Sequence, residues 1–201
     1  MANQEIREPI QKRSIEKKRN IIKYGFELIC EKGYHNTNTA EIAKAAGVST
    51  GIVYQYFNDK RDIFLQGIEQ YSKSLLFPIT EISFKNTKNF DLKHELNEVI
   101  NASVKNHKLS ESAHEEIYAL QHSDPDIAQI FLKQEIEASN KFIEILEKNN
   151  IQTTNVNEKA HLIISMIDNL CHEIVYHKHT NMNYKIMQEL VIDTILNLIN
   201  Q

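Results

Sequence analysis

Apolar residues recur every three or four positions along most of this chain and hardly ever at every second one. Ile15, Ile22, Phe26 and Ile29, with Ile21 and Leu28 beside them, mark one face of a helix that opens at Ser14 and closes at Gly33. Asn38 and Glu41, three apart, have the arrangement of a capping box and predict a second, short helix that Gly47 stops. Ser49 caps a third helix reaching about Phe57. A fourth starts at Asp59, with Asp62 three residues on, and runs to about Phe77, where Pro78 interrupts it. Five further helices follow near 91–107, 111–121, 126–149, 157–179 and 184–199, with breaks at "KNTKNF", "HSDPD", "NNIQTTNVN" and "HTNMN". The pattern predicts an all-α chain of about nine helices. Residues 1–13 form a flexible polar arm, 14–60 a three-helix head, and 61–201 a helical body. There is no internal repeat and no strand signal.

Composition narrows the class. Five glycines and three prolines in 201 residues leave few chain breakers, which favours helices over a turn-rich β fold. No stretch reaches the roughly 18 apolar residues a membrane helix needs. The opening "MANQEIREPIQKRS" has no apolar run, so no signal peptide is expected. Cys30 and Cys171 stand alone, far apart, and read as reduced thiols of a cytoplasmic protein. Cys30 lies among core positions of the first helix, which leaves Cys171 as the more reactive candidate. The net charge of −4 is uneven: residues 1–65 carry 11 Lys/Arg against 8 Asp/Glu, and the rest 12 against 19. A basic head on an acidic body suits a polyanion at the head.

The segment "AAGVSTGIVYQYFNDK", Ala45 to Lys60, joins two short helices through a tight glycine turn, the arrangement of a helix-turn-helix. The second helix of such a unit enters the DNA major groove and presents its first residues to base edges. Ser49, Thr50 and Gly51 are small and let the backbone approach phosphates. Val53 and Phe57, four apart, pack inward. Tyr54 and Tyr56 stay on the open side, and Ile52 faces outward within reach of a base. The plainer reading is an αα-hairpin with half-buried surface aromatics.

Residues 14–62 resemble the DNA-binding domain of TetR-type (TetR/AcrR) transcriptional regulators. The matching features are Gly33-Tyr34, Ile42-Ala43, Ala46-Gly47-Val48-Ser49, Gly51, Tyr54, Tyr56-Phe57 and Lys60, at fixed spacing over about fifty residues. Ile63 stands where leucine is usual. The resemblance implies that Thr39 contacts a phosphate and that Thr50, Gly51 and Tyr54 line the DNA backbone. It places Ile52, Gln55 and Tyr56 nearest the bases and pairs Lys60 with a phosphate. Lys12, Arg13, Lys17 and Lys18 steer DNA or form a solvated charge run.

For the body, the resemblance implies a ligand-binding and dimerising domain whose last two long helices pair with their symmetry mates. Leu162, Met166, Leu170 and Ile174 on one helix, and Ile186, Leu190, Ile195 and Leu198 on the next, supply apolar surface for that. A two-fold dimer would set two recognition helices on one palindromic operator. His161, Ser165, Asp168 and His172 make a polar stripe on the same helix as Leu162. It reads as a hydrogen-bonded dimer seam or solvated edge, as the polar lining of a small-molecule pocket, or as a cation site shared by Asp168 and His172. His114, Tyr118 and His122 make a second stripe in the region where the resemblance places the effector. No metal or cofactor is assigned. HExxH, a phosphate loop and GxSxG are all missing, so the chain does not read as an enzyme. The expected activity is that of a repressor released from operator DNA by a small molecule. A helical binding module that never touches DNA and a metal-responsive regulator are the alternatives.

Overall fold

In the computed structural model the described residues are 9–81, 90–107, 109 and 111–201. Among them are nine α-helices and no strand: α1 Lys12–Lys32, α2 Thr39–Ala45, α3 Thr50–Tyr56, α4 Lys60–Glu81, α5 Leu92–Asn106, α6 Glu111–Ser123, α7 Pro125–Lys148, α8 Val156–Val175 and α9 Tyr184–Ile199. None is long and apolar enough to cross a membrane.

Three element ends differ from expectation. α1 starts before Ser14, with Gln11 at its N-cap, because Lys12 and Arg13 are good helix formers that extend it backwards. Ile15 in that first turn is 48% exposed and outside the core. α4 continues three residues past Pro78. The proline has no N–H to offer the Ser74 carbonyl four residues earlier. Asn106 Nδ2 donates to that carbonyl at 2.7 Å, a bond from outside the helix in place of the one the ring forbids. α8 ends at Val175, so His177 and His179 lie beyond it, where the Tyr184 hydroxyl accepts the His179 N–H at 2.6 Å.

The chain divides into two compact units. The first takes the chain up to Tyr71 together with Leu109–Ile130; the second takes Ser72–Lys108 and Phe131–Gln201. In the first, α1, α2 and α3 pack on one another around Ile21, Ile29, Ile42, Val53, Phe57 and Ile63. Two glycines allow this closeness. A Cβ on Gly25 would lie 2.7 Å from Ile63 Cγ2, and one on Gly67 would lie 2.6 Å from the Phe26 ring. In the second unit α5, α8 and α9 pack mutually, with Ile100, Phe142, Ile145, Ile163 and Ile192 at the centre. Leu170 and Ile195, expected on a dimer face, belong to this core instead. Leu162, Ile186 and Leu190 remain more than half exposed.

Candidate nucleic-acid interface

Local chemistry sets the helix pair α2–α3. Asn38 Oδ1 accepts the Glu41 N–H at 3.0 Å, and Glu41 Oε2 accepts the Asn38 N–H at 3.1 Å, completing the capping box. At the other end Val48 N–H reaches the Ala43 carbonyl at 3.0 Å and Gly47 N–H the Lys44 carbonyl at 3.2 Å. These are the two bonds of a Schellman turn, and Gly47 sits at φ +67°, where a side chain is strained. Four backbone groups are thereby satisfied within one short turn, and α3 leaves at a fixed angle.

α3 has two clear faces. Val53 and Phe57 are fully buried, as their spacing predicts. Tyr56 is buried with them, at 8% exposure, although it was expected near the bases. The reason is geometric: Tyr56 is three residues after Val53, so it shares Val53's face, and Tyr54 does not. The outer face carries Ser49, Gly51, Tyr54 and Gln55, all exposed, with Thr50 and Ile52 half-buried at its edge. Thr39, the first residue of α2, is half-buried. Ser49 occupies the N-cap position, but its side chain makes no capping hydrogen bond.

Gly51 is informative. A Cβ there would meet only Ser49 Oγ, at 3.9 Å. Nothing in the fold requires glycine at this helical position, where glycine is less favourable than alanine by roughly 0.5–1 kcal/mol.

Lys60 and Arg61 anchor the start of α4. The Lys60 ammonium donates to the Tyr34 carbonyl and, at 2.7 Å, to the Thr37 carbonyl, and lies 4.2 Å from the centre of the Tyr34 ring. It therefore closes the loop between α1 and α2, using two of its three donors. Arg61 forks onto Asp124 at 2.8 and 2.9 Å and reaches Asp126 at 2.7 Å. Asp124 also accepts from the first N–H groups of α7, which begins at Pro125. Arg61 holds the Asp124 carboxyl below the usual carboxylate range and is itself held more firmly charged.

The two polar stripes resolve differently. On α6, His114 stacks on Tyr118 at 5.9 Å and Tyr118 meets His122 edge-on at 5.2 Å, so the three rings form one row. The row runs from buried His114 to Tyr118, which is 44% exposed. The α8 stripe divides. His161 turns to Glu135 of α7, 3.2 Å away, and Ser165 donates to that carboxylate at 3.4 Å. Asp168 and His172 instead face each other at 3.9 Å, with His107 joining them from the end of α5. Desolvation raises the Asp168 carboxyl, with His107 pulling it down.

Burial pushes both thiols, Cys30 and Cys171, up to about 12. Cys171, expected to be the more reactive, is 1% exposed and protonated at neutral pH. It sits on the core side of α8 because it follows Ile164 and Ile167 at helical spacing. Sequence reasoning also missed Gly25, Gly67, Arg61 and His107. The glycines had a signal, since each lies within an apolar helical run that alanine would have served better.

The family model for bacterial regulatory proteins of the tetR family matches residues 21–66. The HTH-type transcriptional regulator HbdR of Aromatoleum sp. (strain CIB) is 48% identical over 48 residues, 24% of this chain and 21% of that protein. The fatty acid metabolism regulator protein of Bacillus subtilis (strain 168) is 47% identical over 45 residues, 22% of this chain and 23% of that protein. The chain thus spans about a fifth of the length of the curated relatives it matches. A TetR-family transcriptional regulator of Mesorhizobium loti MAFF303099 superposes on 94% of this chain and 98% of its own, with TM-score 0.72 and 17% identity. The matched residues are those of the capping box, the Schellman turn, α3 and the Lys60–Arg61 anchor. The chain therefore carries a TetR-family helix-turn-helix head, residues 21–66, on the all-helical fold of TetR-family regulators.

Proposed function

We propose that this chain is a cytoplasmic DNA-binding transcriptional regulator, a repressor that binds a palindromic operator as a homodimer and leaves it when a small molecule binds the body. The observation that carries this reading is Gly51: a glycine on the outward face of α3, at a position where the fold has room for a side chain. The requirement for a bare backbone comes from outside the protein, and a phosphate chain lying across the start of α3 supplies one. On this reading Thr39, Ser49, Thr50 and Tyr54 contact the DNA backbone, and Ile52 and Gln55 reach base edges. Tyr56 supports the helix from behind. Lys60 holds the α1–α2 loop and has one N–H left for a phosphate.

Dimerisation is supported by Leu162 on α8 and by Ile186 and Leu190 on α9, large apolar side chains that water covers in a single chain. The His114–Tyr118–His122 row is the proposed effector contact, since it combines a buried imidazole with an accessible phenol. The test is a gel-shift with the full chain on DNA immediately upstream of its own coding sequence. A discrete complex on one palindrome is expected. Equal binding to unrelated DNA of the same length would reject sequence-specific regulation.

A further inference from the structure

The second unit contains a cluster that the DNA reading does not use. One ligand atom from each of His107, Asp168 and His172 lies within 4.8 Å of the other two. Asp168 and His172 are one helical turn apart on α8, so both side chains leave the same face. His107 is the C-cap that follows Asn106, the last residue of α5, and comes to them from the end of a different helix. Its ring stands edge-on to His172, with centroids 5.2 Å apart.

The state of His107 is the decisive detail. The side chain is buried, at 7% exposure. Nδ1 lies 2.7 Å from the Ser103 carbonyl. A carbonyl can only accept, so Nδ1 donates to it, and Nε2 is the ring nitrogen left to take a further partner. Nε2 is buried and has no hydrogen-bond partner among the described residues. A buried ring nitrogen left without a partner is destabilising. An imidazole whose Nδ1–H is fixed on a backbone carbonyl, beside a carboxylate and a second imidazole, has the outer-sphere arrangement of a metal-bound histidine.

We infer that His107, Asp168 and His172 bind a divalent first-row transition metal, clamping the end of α5 to α8. Two imidazoles and one carboxylate are a donor set for zinc or ferrous iron and a poor one for magnesium, which prefers oxygen. Bonds of about 2.0–2.1 Å to a tetrahedral ion separate donor atoms by roughly 3.3 Å. The donors therefore need to draw together by about 1.5 Å at most, within the range of side-chain rotation. The Tyr176 ring packs 6.0 Å from His107 and 6.4 Å from His172 and walls the site on one side. Glu135 adds negative field at Asp168. Three protein ligands leave a fourth position for water or for a donor atom of a bound small molecule. The site stands on its own geometry and does not require that the chain bind DNA.

The test is a titration of the chelator-treated full chain with zinc by calorimetry, and with cobalt(II) by visible absorption, which reports ligand geometry. Wild type should bind one ion per chain tightly and melt at higher temperature with zinc, and magnesium should change neither quantity. His107→Ala and His172→Ala should weaken that site by at least the roughly 10–100-fold that an outer-sphere change alone produces. Asp168→Asn is nearly isosteric, keeps the fold, and should alter the cobalt spectrum as well as the affinity. His94→Ala, an exposed histidine at the other end of α5, should leave the site intact. Zinc binding of equal affinity and stoichiometry in wild type, Asp168→Asn and His172→Ala would overturn the assignment, as would a wild type that binds no zinc.

Discussion

Arg61 and Asp124 form a two-pronged ion pair, with nitrogen–oxygen distances of 2.8 and 2.9 Å, between the first turn of α4 and the N-cap of α7. The residues are 63 apart in sequence, yet Asp124 is the chief reason that Arg61 is held charged, and Arg61 the chief reason that Asp124 is held ionised. The pair joins the start of α4, the helix that follows α3, to the corner between α6 and α7, all within the first compact unit.

Asp124→Asn isolates the charge, because asparagine keeps an oxygen for capping α7. Arg61 is partly exposed, so solvent screens the pair and the loss at neutral pH should be about 1 kcal/mol or less. The folded Asp124 carboxyl is lowered, so its contribution is fully present above the ordinary carboxylate range. It fades as the pH falls through the folded value. Melting curves of the two proteins should therefore differ most at neutral pH and converge in acid. A gap that widens below pH about 4 would contradict the pair's role.

Gly25→Ala and Gly67→Ala should each destabilise the first unit by about 1–3 kcal/mol, because the new methyl meets Ile63 or Phe26 inside normal contact distance. The phenylalanine ring is itself packed against Phe64 and Tyr71, which limits how far it can yield to Gly67→Ala. Urea titration measures both. Wild-type midpoints in both variants would show that α1 and α4 have slack.

Neither cysteine should react with a neutral-pH thiol reagent until the chain unfolds, since both thiols are pushed up to about 12 and only the thiolate attacks. Labelling kinetics in buffer and in denaturant decide this. Fast labelling of Cys171 in the native protein would mean that α8 opens.

Leu162→Glu with Leu190→Glu should convert a dimer to a monomer, because each change sets a charge in a face that wild type would bury. Sedimentation at micromolar concentration is the measurement. A monomeric wild type would remove the dimer from the proposed function.

The parts of the fold that sequence reading reached are those set by neighbours along the chain. Asn38 with Glu41, and Gly47 after Ala46, are complete within a few residues, and the structure has the cap and the turn where the spacing puts them. Tyr56 sits apart from Tyr54, on the core side, because three residues from Val53 bring the helix back to Val53's face, a return that the shared tyrosine chemistry hides in the sequence. Pro78 reads as a stop in sequence because the donor that replaces its missing N–H, Asn106, lies 28 residues on. His107 was invisible for the same reason: nothing near it in sequence indicates Asp168, and only the packing of α5 on α8 brings the two together. The α8 stripe reads as one feature in sequence, but Glu135 on α7 draws His161 to one neighbour and His107 draws Asp168 and His172 to another.

The central claim is that the outer face of α3 is shaped for DNA and not for the fold, and Gly51→Ala tests it most directly. Alanine at this helical position should keep the melting temperature or raise it, with a gain of roughly 0.5–1 kcal/mol, since the Cβ enters open space. Fluorescence anisotropy on DNA upstream of the chain's own coding sequence, measured across a salt series, supplies the other half. Wild type should bind a palindrome there with an affinity that falls with salt at a slope of about −0.9 per phosphate contacted. Gly51→Ala should bind it at least about tenfold more weakly, because one methyl holds the backbone off the phosphates. A variant that is as stable as wild type and binds the palindrome with undiminished affinity would contradict the account.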